Sequence, residues 1–313
     1  MTYRHIRTYR PTAVIALLAA VSLLTACDSD STDNADTAVA PQFSADISTT
    51  AITRAVDQTW NSDQIGVIVT DAPNSDMETM YTNVPYYTTS TGTSADFNPT
   101  GDAIYFQEAT ETVTFAAYAP YQSAGGDITI SDTRTVNASG ETESIDYIFA
   151  SATGSVSIPN VKFTFSHIMT KLKLVFKADG TTLTFDQLKD ATFRLNGISH
   201  SGKIDLTPSS TTFGTAVADD ITADWNFTSC PYTDTDDSRT YELILLPQST
   251  GSMTLYVIID DVICTADIDT ELQGGTEYTY TVTVNREGAT LTVTDVSVSV
   301  SDWGDGSSHT LTY

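Results

Sequence analysis

The chain has 313 residues and an acidic balance, with 40 aspartates and glutamates against 14 lysines and arginines, for a formal net charge of −26 at pH 7. Such a surface repels nucleic acid and anionic lipid and argues against both as partners. Hydrophobic residues make up 40% of the sequence, enough for a core of its own, and no spacing of cysteine and histidine supports a metal site, so no cofactor is expected.

Residues 1–26 read as a targeting segment. Arg4, Arg7 and Arg10 form a basic start, and Ala13 to Leu24 carries no charge. That run is shorter than the roughly 20 apolar residues a permanent membrane helix needs. Leu24-Thr25-Ala26-Cys27 follows, and it resembles the signal of bacterial lipoproteins. The resemblance implies removal of residues 1–26 and a lipid on Cys27, so that the precursor is held at the outer membrane. Asp28 to Asp36 is acidic, polar and without aromatics, which is the composition of a solvated tether. It also resembles the acidic signal that sends some lipoproteins to the cell exterior, and the two readings stand side by side.

From there on the hydrophobic period is two almost everywhere, which predicts an all-β protein. Phe43, Ala45, Ile47 and Ala51 alternate with polar residues, so a first strand is expected before Arg54. Further strands are expected at residues 65–70, 113–118, 145–150, 161–165, 168–177, 191–195, 241–246 and 278–284. Leu255 to Ile259, Asp260-Asp261 and Val262 to Cys264 read as a hairpin with a tight acidic turn. Phe185 to Asp190 is the one short helical piece. The alternation changes phase near Ser166-His167, between Phe163 and Phe165 on one side and Ile168, Leu172, Leu174 and Phe176 on the other. A second change falls around Asp295, between Leu291 and Val293 and the run Val296, Val298 and Val300. Each marks a strand boundary or a bulge. Many short strands over this length suggest two β-sandwich domains in tandem, at residues 55–160 and 161–313.

Four separated segments together resemble the fimbrillin family, the type V pilins and their fimbrillin-like relatives. They are Thr53-Arg54-Ala55 with Trp60 to Val67; Phe163 to Leu172, which contains Ser166-His167-Ile168; Tyr241 to Gln248, which ends in Leu246-Pro247-Gln248; and Leu272 to Tyr280, with Gly274-Gly275, joined to Asp302-Trp303. The resemblance implies two transthyretin-like sandwiches and export as a lipoprotein. It also implies cleavage by an arginine-specific protease between Arg54 and Ala55, and polymerisation with other pilin subunits, self or related, by strand exchange. On this reading residues 27–54 hold the tether and a removable strand, and the product is a structural subunit of cell-surface fimbriae. A fimbrial tip or anchor subunit, or a surface glycan-binding adhesin, is the alternative.

The residues make cleavage sensible on their own account. Arg54 is the only lysine or arginine between Arg10 and Arg134. Loss of a strand ending there would expose backbone groups and apolar pockets that an incoming strand could satisfy. Either the Val296 to Val300 run or His309, Leu311 and Tyr313 could be the donor. Other candidates read as structural. His167 has no nucleophile pattern beside it, Trp60 and Trp303 suit packing, and Asp234, Asp236 and Asp237 lack the spacing of a calcium loop. No paired carboxylates or nucleophile elbow point to an enzyme. Cys264 shares the alternation of Val262, Ala266 and Ile268, which favours free thiols at Cys230 and Cys264 over a bridge.

Overall fold

The computed structural model describes residues 38–47, 60–61, 63–73, 76–136, 142–143, 145–219, 222–248, 253–268, 271–303 and 308–311. Cys27, Arg54 and Ala55 lie outside these residues. The described chain is all-β, with two short helices and one 3-10 turn, and among the described residues no helix is long and apolar enough to cross a membrane.

Seven strands pair in a closed ring. The order is Gln42–Ile47, Asn160–His167, Ile148–Ser155, Thr112–Ala119, Gln64–Asp71, Val84–Tyr87 and Ser94–Pro99, and the last strand returns to the first. The interior holds Phe43, Val67, Val69, Tyr86, Phe97, Phe115, Phe163 and Phe165 among others. Gln64–Asp71 and Thr112–Ala119 are buried almost throughout instead of alternately. Both of their faces are covered: Val67, Val69, Phe115 and Ala117 point into the ring, while Ile68, Ala116 and Tyr118 belong to a separate apolar cluster outside it. A strand covered on both sides is apolar along its length, which is how these two read.

The later strands form a six-stranded sheet in the order Tyr232–Asp234, Ser238–Leu245, Thr170–Ala178, Thr276–Glu287, Thr290–Asp302 and Ser308–Leu311. A four-stranded sheet runs Thr222–Asn226, Thr192–Ser199, Met253–Ile259 and Val262–Ile268. The two share one core. Leu172, Leu174, Phe176, Tyr241, Tyr278, Tyr280 and Val282 come from the larger sheet, and Phe193, Leu195, Trp225, Leu255 and Val257 from the smaller. Ala216–Ala218, Gly202–Ile204 and Ile128–Ile130 make a three-stranded sheet. It contributes Ile128, Ile130, Ile204 and Ala216 to the outer cluster, beside Ile244, Leu246 and Trp303.

Local expectations match closely. The phase change at Ser166-His167 is a strand boundary, because one strand ends at His167 and the next begins at Thr170. The change near Asp295 is a bulge. Thr283 faces Asp295 and Val284 faces Val293, so Thr294 is the extra residue. The acidic hairpin turn places Asp260 and Asp261 at φ 51° and 62°, the left-handed pair that a two-residue hairpin requires. Phe185–Lys189 is helical, and Thr184 caps it with Gln187 reaching back, a reciprocal pair that satisfies the orphan donors of the first turn. One strand is displaced: residues 145–150 were expected, but the strand is Ile148–Ser155 and Ile145 is exposed. The apolar side chains Ile145, Tyr147 and Phe149 suggested alternation, yet Asp146 and Tyr147 are spent on contacts at the ring's end.

Candidate functional site

The feature that stands apart is the strand Gln42–Ile47. It pairs parallel with Asn160–His167 on one side and antiparallel with Ser94–Pro99 on the other, and so closes the ring. Its sequence explains its seat. Phe43 and Ala45 are buried, whereas Ser44 and Asp46 between them are only half-buried, as period two demands. The Phe43 ring stacks on Phe163 at 5.4 Å and meets Tyr86 and Phe115 edge-on at 4.9 and 5.2 Å.

Polar contacts fix the register. Asp46 pairs with Lys162 at 2.6 Å and accepts a hydrogen bond from Ser94 Oγ at 2.8 Å. The Lys162 ammonium and the Ser94 hydroxyl hold the Asp46 carboxyl below the usual carboxylate range. The Gln42 N–H donates to the Pro159 carbonyl at 2.7 Å, and the Phe106 N–H donates to the Val39 carbonyl at 3.0 Å. Beneath Phe43, Tyr86 accepts from the Ile104 N–H at 3.0 Å, and burial pushes its hydroxyl up to about 12.

Burial of a phenylalanine contributes roughly 1.5–3 kcal/mol, and each aromatic contact about 0.5–1.5 kcal/mol beyond that. Withdrawal of the strand would therefore leave a pocket the size of a ring and two rows of unpaired backbone groups, along 94–97 and 160–165. Buried backbone groups without partners are costly, so such a groove demands another strand.

A second place gathers segments far apart in sequence. The Ile168 N–H donates to the Tyr147 carbonyl, the Gly275 N–H to Met169, and the Trp303 N–H to Gly275, at 3.0, 2.8 and 2.7 Å. Gln248 and Leu272 exchange two backbone hydrogen bonds of 2.9 Å, and the Gln248 side chain accepts from the Ser199 N–H at 2.7 Å. His167 stacks flat on Trp303 at 4.1 Å and shares a 2.6 Å contact with Asp146, whose carboxyl is pushed up by burial. A cavity of about 460 Å³ is lined by His167, Gln248, Gln273 and Gly274 among others. These contacts bind the ring's end to the larger sheet and present no nucleophile with a base.

The remaining candidates are engaged structurally. Trp60 is buried edge-on against Phe97 and Phe165. Asp234 forks onto Arg239 at 2.8 and 3.0 Å, and Asp237 meets Lys177 at 3.3 Å. Cys230 and Cys264 are buried, and neither is in a disulfide. Ser308–Leu311 pairs with residues 298–301 at the edge of the larger sheet. Among the described residues no group of three or more histidine, cysteine or acidic side chains could hold a metal. Asp146 was not singled out from sequence, since nothing near it signals a partner 21 residues away.

A sequence profile described as fimbrillin-like matches residues 53–303. A protein of Bacteroides uniformis, named as a candidate fimbrium subunit, Fim1C, is 28% identical over 94% of this chain and 95% of its own. Crystal structures of candidate cell-adhesion proteins from Bacteroides ovatus and Bacteroides uniformis are each 25% identical. They cover 85% and 86% of this chain and 98% of their own, with TM-scores of 0.61 and 0.62.

Proposed function

The chain belongs to the fimbrillin-like family, and from that footing we propose that it is a structural subunit of cell-surface fimbriae, gated by the strand Gln42–Ile47. Its precursor is exported as a lipoprotein, carries lipid on Cys27 and waits at the outer membrane. An arginine-specific protease cuts between Arg54 and Ala55. The freed segment leaves the groove, and a strand from a neighbouring subunit takes its place. The two cores act as tandem transthyretin-like sandwiches, and the first of them is the acceptor. The subunit itself carries out no catalytic step.

The observation that carries this reading is the seat of Phe43 among Tyr86, Phe115 and Phe163, in a strand that lies just ahead of Arg54 and alone closes the ring. While covalently tethered, that strand competes at an effective concentration near millimolar, which an incoming strand cannot match. After cleavage the advantage is gone.

The test uses the chain from residue 27 with Cys27→Ala, treated with an arginine-specific protease. Cleavage at Arg54 should let a labelled strand peptide of residues 41–47 exchange into the protein, and Arg54→Ala should abolish exchange. A cut chain that keeps its strand against excess peptide would make that strand a permanent part of the fold and overturn the proposal.

A further inference from the structure

The groove bears an imprint of its occupant. At the level of Phe43 the flanking residues are Phe97 and Val161, and the ring fills a pocket walled by Tyr86, Phe115 and Phe163. Two residues on, the level is different. Ala45 lies between Ala95 and Phe163, is 1% exposed, and is followed by Asp46 on Lys162. Ala45 and Ala95 are both buried in the same apolar cluster as Phe163, Phe165 and Trp60. Phe163 contacts Phe165 at 5.9 Å, and Trp60 meets Phe165 at 5.4 Å. A close-packed interior does not accept three extra carbon atoms there without moving those rings.

Resting on the strand-exchange reading, we propose that the emptied groove selects an incoming strand with an aromatic residue followed two positions later by alanine or glycine, running in the direction of the strand it replaces. The corollary concerns the partner. His309, Leu311 and Tyr313 are large at every alternate position, and Ser308, Thr310 and Thr312 are polar at every other. Val296, Val298 and Val300 offer neither the ring nor the small residue. Neither run matches the imprint in either phase. Neither of these two candidate donor runs is therefore the strand that the groove selects, and the strand that fills it carries a different sequence.

The experiment keeps the protein constant and varies the strand. The chain from residue 27 with Cys27→Ala, cut at Arg54, is titrated with labelled peptides and binding is read by fluorescence anisotropy. The probes are residues 41–47, the same peptide with Phe43→Ala or with Ala45→Leu, and residues 307–313. The unaltered 41–47 peptide should bind, and each of the other three should bind at least about tenfold more weakly. Equal binding of the 307–313 peptide, or of the Ala45→Leu peptide, would overturn the selectivity and leave strand exchange standing. If no peptide binds while circular dichroism shows the cut chain folded, strand exchange itself fails and the selectivity falls with it.

Discussion

Phe43 and Phe163 stack 5.4 Å apart with 22° between their planes, one on the strand that closes the ring and the other on the strand parallel to it. Because Phe43 is 2% exposed and also touches Tyr86 and Phe115, Phe43→Ala should cost about 3 kcal/mol or more in the uncut chain. Urea unfolding followed by tyrosine and tryptophan fluorescence reads the loss directly. A cost near zero would mean that the strand is not seated in solution.

The junction offers a second measurement. Gly275 has φ +70°, and a Cβ there would lie 3.0 Å from the His167 carbonyl oxygen; Gly288 has φ +62° with open space around it. Both alanine substitutions carry the left-handed penalty, about 1–2 kcal/mol. Gly275→Ala adds a close contact with the strand end that carries His167, so its melting temperature should fall further than that of Gly288→Ala. Equal falls would show that the junction relaxes freely.

Stability should decline in mild acid through His200. This side chain is buried, contacts Thr133 Oγ1 at 3.3 Å and packs edge-on to Trp225. Burial first, and then the charge of Arg134, lower its pKa to about 4 against the opposing pull of Asp132. Above pH 6.5 the ring is neutral in both states and costs nothing. Below 6.5 the unfolded chain takes up a proton that the folded chain refuses, so stability is lost as pH falls toward 4 and the loss then levels off. The span corresponds to at most about 3 kcal/mol. Denaturation midpoints of wild type and His200→Leu should diverge in slope across that window.

The thiols should be silent until the protein unfolds. Burial pushes the Cys264 thiol up to about 11, and both described cysteines are enclosed. With Cys27→Ala in place, a disulfide-exchange reagent at pH 8 should find no reactive thiol in the native protein and two in guanidinium chloride. Fast reaction of either in the native state would contradict the packing.

The proposed lipidation at Cys27 has a test of its own. Cells fed a fatty-acid analogue should label the wild-type protein and leave Cys27→Ala unlabelled. Equal labelling would remove the lipoprotein step from the proposed function.

Sequence alone determined the all-β class, the hairpin turn at Asp260-Asp261 and the two phase changes, which the structure resolves as a strand boundary after His167 and a bulge at Thr294. It also picked out the apolar face of Phe43 and Ala45, since side-chain alternation and turn conformation are properties of neighbouring residues. It did not determine which strands pair. That Gln42–Ile47 lies parallel to Asn160–His167 and so shuts a ring depends on closing a loop of more than a hundred residues, and on a pocket whose walls come from three other strands. His167 was visible as a residue in a motif, but its Asp146 contact and Trp303 stack exist only once strands distant in sequence have docked. Local periodicity decides what each segment can become; complementarity between distant surfaces decides which partner it takes, and no short window of sequence carries that information.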